Sequence, residues 1–181
     1  MPDLGAARRA PLLATSLGVR PLPPAARHIL RGGSKVRAAA ENALGLPVPV
    51  TACRAGSQGE RAALWLGPDE WLLISPEPRG DETAAALRAA LAELPHSLVD
   101  VSHRQVALEV SGPQAPTLLA AGCPLDLDAS AFPVGMCTRT MLAKAEIVLW
   151  RTAGEAFRIE VWRSFAPYVS AFLGEAARGI P

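Results

Sequence analysis

Two short runs rich in Leu, Ile and Trp, Ala62 to Leu66 and Glu70 to Ser75, flank Gly67-Pro68-Asp69, and that spacing reads as a β-hairpin. The logic recurs downstream. Ser97 to Ser102 and Gln105 to Val110 read as a second strand pair. In the latter, Val106, Leu108 and Val110 are expected to face the core, with Gln105, Ala107 and Glu109 outward. Thr138 to Leu142, Glu146 to Arg151 and Phe157 to Arg163 are strand-like as well, with Thr152 to Glu155 as a turn. Antiparallel pairs interrupted by helices predict an α+β fold and argue against a βαβ dinucleotide-binding unit.

The helices are expected between these strands. Ser34 suits the N-cap of a helix through Val36, Ala39, Ala40 and Leu44, with Gly45 past its end. Asp81 opens a helix in which Leu87, Leu91 and Leu94 form one apolar stripe, ended by Pro95. Pro113 suits the first turn of a helix that buries Leu118 and Leu119, with Gly122 at C′. Ser164 is the expected cap of a closing helix carrying Phe165, Val169, Phe172, Leu173 and Ala176. Residues 1 to 33 hold Pro2, Pro11, Pro21, Pro23 and Pro24 and show no sustained period, so an extended basic Pro/Arg-rich arm is expected there. Residues 34 to 181 are then one α+β body, divisible into lobes 34–96 and 97–181.

Charge bears on partners. The formal net charge of the 181 residues is only +1, which gives no bulk field toward nucleic acid or an anionic membrane. Residues 1–61 nevertheless hold nine basic residues against three acidic, while residues 62–181 hold nine against fourteen. The arm is either a solvated basic segment or one that lies on an acidic surface. No aromatic residues interleave with basic ones into a base-stacking platform; Trp150 and Trp162, beside Arg151, Arg158 and Arg163, read as sheet residues with outward charges. No apolar run approaches the roughly 20 residues that span a bilayer, and no signal peptide is read. Three cysteines, Cys53, Cys123 and Cys137, with no CxxC spacing suggest a reducing, cytoplasmic setting and neither a disulfide framework nor a zinc cluster.

Catalytic motifs are missing. There is no G-x-G-x-x-G, P-loop, nucleophile elbow or H-E-x-x-H, and His28, His96 and His103 are scattered, so no catalytic or metal-binding residue is assigned. Asp126-x-Asp128-x-Ser130 has the opening spacing of a calcium loop without its glycine and distal glutamate, and local turn-capping explains it better. Arg139 near Cys137 is thin ground for a thiolate, and buried small hydrophobes suit all three cysteines. Asp100-x-Ser102-His103-Arg104, at a strand junction, is the most polar cluster of the body. It either holds the turn or presents a carboxylate to a ligand.

Several ordered segments carry a family resemblance. They are Trp65-Leu66-Gly67-Pro68-Asp69-Glu70-Trp71-Leu72, Val99-Asp100-Val101-Ser102-His103, Ala107-Leu108-Glu109-Val110-Ser111-Gly112-Pro113, Cys123-Pro124-Leu125-Asp126-Leu127, Phe132-Pro133-Val134-Gly135, Cys137-Thr138-Arg139-Thr140, Val148-Leu149-Trp150-Arg151 and Arg163-Ser164-Phe165-Ala166. Over roughly residues 35 to 178 the chain resembles the gamma subunits of heterotetrameric sarcosine oxidases, themselves similar to the N-terminal part of the glycine-cleavage T protein. The resemblance implies a T-protein-like, folate-binding type of fold. It also implies a complex that oxidatively demethylates sarcosine to glycine, yielding hydrogen peroxide and formaldehyde or, with tetrahydrofolate, a one-carbon folate adduct. FAD, covalently attached FMN and NAD would belong to the two larger subunits, the folate site to the largest, and zinc to the smallest. This chain would be a catalytically silent structural partner of the alpha, beta and delta subunits. The alternative is a stand-alone folate-binding or aminomethyl-transfer module with Asp100 as the ligand-facing carboxylate.

Overall fold

The computed structural model describes residues 18–180. Among the described residues ten strands form two five-stranded antiparallel sheets. They are β1 (Val19–Pro21), β2 (Ala25–Gly32), β3 (Ala55–Gln58), β4 (Arg61–Gly67), β5 (Glu70–Pro76), β6 (His96–Asp100), β7 (Gln105–Ser111), β8 (Cys137–Leu142), β9 (Ala145–Ala153) and β10 (Ala156–Trp162). The first sheet runs β3-β4-β5-β2-β6 and the second β1-β7-β10-β9-β8. Among the described residues four α-helices accompany them: α1 (Ser34–Leu44), α2 (Gly80–Leu91), α3 (Ala115–Ala120) and α4 (Ala166–Arg178). The expected α+β class of antiparallel strands with packed helices is what the chain adopts.

Three apolar clusters order these parts into layers. Leu30, Trp71 and Leu73 of the first sheet pack with Val36, Ala40, Leu44, Leu87 and Leu91 of α1 and α2. Leu108, Val110, Phe157 and Ile159 of the second sheet pack with Leu118, Leu119, Val169 and Leu173 of α3 and α4. Between the sheets lie Leu64, Leu72 and Ile74 from one and Cys137 and Val148 from the other. Each sheet is therefore covered on both faces, as a strand such as β5 requires: Trp71 and Leu73 point to the helices, Leu72 and Ile74 to the opposite sheet.

The hairpin around Gly67-Pro68-Asp69 forms with Leu64 opposite Leu72. Gly45 ends α1 in the left-handed region at φ 60°, donating its N–H to the Glu41 carbonyl. Gly122 follows α3, but its requirement is space, since a Cβ there would lie 2.6 Å from the Phe172 ring and 3.0 Å from the Ala143 nitrogen. Neither Ser34 nor Ser164 provides a side-chain cap; Gly33 precedes α1, and a 3₁₀ turn at Arg163–Phe165 leads into α4.

Three expectations are corrected. Residues 18–33 are not an extended arm: β1 joins the second sheet and β2 is an inner strand of the first, with Leu30 fully buried. The strand was hidden because Arg27 and His28 are buried in its middle, so its polarity mimics a solvated segment. Residues 1–17 lie outside the described residues. Ser97 to Ser102 and Gln105 to Val110 do not pair with each other, because the turn at residues 101–104 carries the chain from one sheet to the other; β6 pairs with β2, and β7 with β1 and β10. In β7, Gln105 and Ala107 are buried rather than outward, since the face they occupy is also covered.

Close backbone approach makes one glycine critical. A Cβ on Gly56 would stand 2.0 Å from the Pro47 carbonyl oxygen, a fixed backbone atom that cannot swing aside. Gly56→Ala is expected to cost about 3 kcal/mol, the upper end of overpacking penalties, measured by urea denaturation. An unchanged midpoint would mean that the segment before β3 moves freely.

Candidate functional site

Where the chain crosses between the sheets, a cavity of about 360 Å³ opens beside the start of β2. Its walls come from β2 (Arg27, His28), the end of β6 and the following turn (Asp100, Ser102, His103), the start of β7 (Gln105) and the first residues of α2 and α4. Pro21 to Pro24, the link from the second sheet to the first, form its rim. Pro21, Pro23 and Pro24, read above as marks of an arm, lie instead at this crossing.

Asp100, the carboxylate singled out from the sequence, lies here, and its turn-holding role is visible. Its Oδ1 accepts the Ser102 N–H at 2.8 Å and the Ser102 hydroxyl at 2.6 Å. The Ser102 Oγ in turn accepts the Arg27 N–H at 2.9 Å, tying the turn to β2. Burial is the largest single influence on the Asp100 carboxyl and acts upward. The Ser102 hydrogen bonds, with His28 and His103 nearby, outweigh it and hold the group below the ordinary carboxylate range.

Arg27 and Glu160 place a buried ion pair behind the cavity, Nε to Oε2 at 2.5 Å, with 2% and 1% of their side-chain surfaces exposed. Arg27 belongs to the first sheet and Glu160 to the second, so the pair joins them. Arg158 donates to the other Glu160 oxygen at 2.7 Å. His28 is buried next to them, and burial, with the Arg88 charge, holds its ring below the ordinary value of 6.5 despite Asp100. The unfolded chain then binds a proton near pH 6.5 that the folded chain refuses, so stability falls as pH drops through that value. Melting temperature is expected to fall between pH 7.5 and pH 5.5, and His28→Gln to flatten this drop. Asp100 acts only below its ordinary 3.8 and leaves this window untouched. An equal fall in the variant would place the titrating group elsewhere.

The other sequence candidates lie apart from the cavity. Asp126 Oδ1 accepts the Asp128 N–H at 2.9 Å, and Asp128 Oδ1 accepts the N–H and hydroxyl of Ser130, so this segment is two successive side-chain-closed turns. Burial pushes the Cys137 thiol up to about 12, which keeps it protonated and unreactive. Arg139 pairs with Glu70 across the sheets. Among the described residues no group of three or more His, Cys, Asp or Glu converges on a metal position. The expectation of outward charges beside Trp150 is corrected at Arg151, which is 4% exposed and, among the described residues, donates only to backbone carbonyls. Arg27, His28, Gln105 and Arg163 were not found from the sequence. Polar residues inside a strand or at its end carry no local sign of being buried.

The chain matches the family described as "Sarcosine oxidase, gamma subunit family" (SoxG) over residues 32–178. It is 40% identical over 164 residues to the sarcosine oxidase subunit gamma of Corynebacterium sp. (strain P-1), covering 90% of this chain and 75% of that one. Among solved structures, it superposes on a chain of the heterotetrameric sarcosine oxidase from Corynebacterium sp. U-96, in complex with pyrrole 2-carboxylate, with a TM-score of 0.83 and 30% identity, covering 89% and 83% of the two chains. The glycine cleavage system aminomethyltransferase T from Bartonella henselae gives a TM-score of 0.68 at 15% identity over 89% of this chain and 46% of that one, a likeness of fold alone.

Proposed function

Because the chain belongs to the sarcosine oxidase gamma subunit family, we propose that it works as the structural gamma subunit of a heterotetrameric sarcosine oxidase, contributing no catalytic residue. The observation that carries this reading is the 40% identity maintained over 90% of the chain. Its partners are then the alpha, beta and delta subunits. FAD, FMN, NAD and tetrahydrofolate sit on the larger chains and zinc on the smallest, and together they oxidise sarcosine to glycine. No helix among the described residues is long and apolar enough to cross a membrane. A cytoplasmic setting is part of the proposal, supported by three free cysteines.

Docking on a partner has a surface to support it. Trp162, Phe165 and Tyr168 are 40%, 41% and 37% exposed at the junction of β10 and α4, and the Arg104 guanidinium stands 5.0 Å from the Trp162 ring centroid. Exposed aromatic residues beside an arginine are the composition favoured at interface centres. The stand-alone folate-binding or aminomethyl-transfer reading, with Asp100 as its carboxylate, has only the fold likeness in its favour, over less than half of the aminomethyltransferase chain.

The test is affinity purification of the tagged chain from its native cells. Larger subunits, a yellow flavin spectrum and sarcosine-dependent peroxide are expected, and Trp162→Glu with Tyr168→Glu should reduce subunit recovery about tenfold or more, a loss of at least one interface anchor. A colourless chain recovered alone would overturn the reading.

A further inference from the structure

The cavity at the sheet crossing holds more unsatisfied polar chemistry than a packing gap does. Four residues that line it each carry a buried side-chain atom with no hydrogen-bond partner among the described residues: Arg27 Nη2, His28 Nδ1, Gln105 Oε1 and Arg163 Nε. Arg27, His28 and Gln105 are all more than nine-tenths buried. Buried polar atoms are nearly always paired, so four around one space of about 360 Å³ mark the contacts of a small molecule.

Their chemistry is mixed in a way that narrows the ligand. The two guanidinium N–H groups need an acceptor, the Gln105 carbonyl needs a donor, and His28 Nδ1 serves as either according to its tautomer. Gly80 and Asp81 of α2 and Ala166 and Pro167 of α4 border the same space. Asp81 and Asp100 supply negative charge on the walls, which opposes a phosphate or another multiply charged anion. Ala84 and Val106 leave an apolar strip between the polar groups. A lone carboxylate leaves Gln105 and the acidic wall unmet, and a lone amine leaves the arginines unmet.

We propose that this cavity binds a small zwitterion, an amino acid with a short apolar side chain. Its carboxylate sits on Arg27 and Arg163, its ammonium group faces Gln105 and Asp100, and its side chain lies against Ala84 and Val106. The inference goes beyond the structural-subunit reading and does not depend on it, since binding is read on this chain and assembly on its partners.

Titration calorimetry of the full-length chain with three matched probes tests it: L-valine, 3-methylbutanoate, which lacks the amine, and 2-methylpropylamine, which lacks the carboxylate. Valine is expected to bind saturably at one site, with each single-charge probe weaker by about tenfold or more. Arg163→Gln and Asp100→Asn should each weaken valine about tenfold; Arg163→Gln leaves the melting temperature near that of the parent chain, and Asp100→Asn, which keeps an oxygen for the two Ser102 hydrogen bonds but loses the charge, lowers it by a few degrees. No saturation by any probe would show that water alone satisfies the four atoms and would overturn the proposal. So would 3-methylbutanoate binding as tightly as valine, or valine binding both variants as it binds the parent.

Discussion

Glu160→Leu is expected to destabilise the fold by about 4–5 kcal/mol, and Arg27→Met by about 3 kcal/mol, because removing one member of a buried ion pair strands the other without water. The asymmetry follows from who else is present. Glu160 accepts from both Arg27 and Arg158, so its loss leaves two guanidinium groups without a carboxylate, one of them 2% exposed and held only by the Ala25 carbonyl at 2.8 Å among the described residues. Losing Arg27 leaves Glu160 still paired with Arg158, whose side chain is 16% exposed. A total stability of about 5–15 kcal/mol makes either loss a large fraction of the whole. The double variant Arg27→Met, Glu160→Leu should recover most of the loss, since two apolar side chains of similar length then meet between the sheets and Arg158 can turn to solvent. Urea denaturation of the four chains gives the cycle. A double variant as unstable as the sum of the singles would show that the two residues act independently and that the pair does not join the sheets.

This pair also shows where the sequence stops being legible. The hairpin of β4 and β5 and the Leu87–Leu91 stripe of α2 are written in neighbouring residues, with a short turn or a period close to four, and both are found where expected. Arg27 and Glu160 are 133 positions apart, and nothing next to either one signals burial. The same blindness hid β2, whose middle reads as polar, and the separate destinations of β6 and β7, which only the two-sheet topology decides. At the cavity, Asp100 was visible because Asp-x-Ser is a local turn pattern. Gln105 and Arg163 were not visible, because each meets the cavity only after two sheets and two helix ends have come together.

Arg151→Met is expected to cost about 4 kcal/mol and Arg151→Lys about 2 kcal/mol, although among the described residues no carboxylate hydrogen-bonds to the guanidinium. Arg151 is 4% exposed on β9, and its Nη1 donates to the carbonyls of Leu127 at 3.2 Å and Phe132 at 2.9 Å. Its Nε donates to the Gly154 carbonyl at 3.1 Å, and the Nη2 group reaches the same oxygen. The guanidinium also stacks 5.0 Å from the Phe157 ring centroid. One planar fork thus ties the loop before β8 and the β9–β10 turn to a single point on the sheet. Methionine fills the volume but leaves three carbonyls without donors, each costing about 1–3 kcal/mol less whatever water can reach them. Lysine brings one ammonium that cannot address carbonyls on two sides of a planar group, so it restores only part. For a chain of this length these losses correspond to about 8–16 °C and 4–8 °C in melting temperature. Hydrogen exchange localises the effect: the Gly135 N–H, which donates to the Arg151 carbonyl, and the Phe132 N–H, which donates to Asp128, should lose protection before the amides of β10 do. A lysine variant as stable as the parent, with that loop still protected, would mean that backbone pairing alone holds the loop and that the buried charge at Arg151 is dispensable.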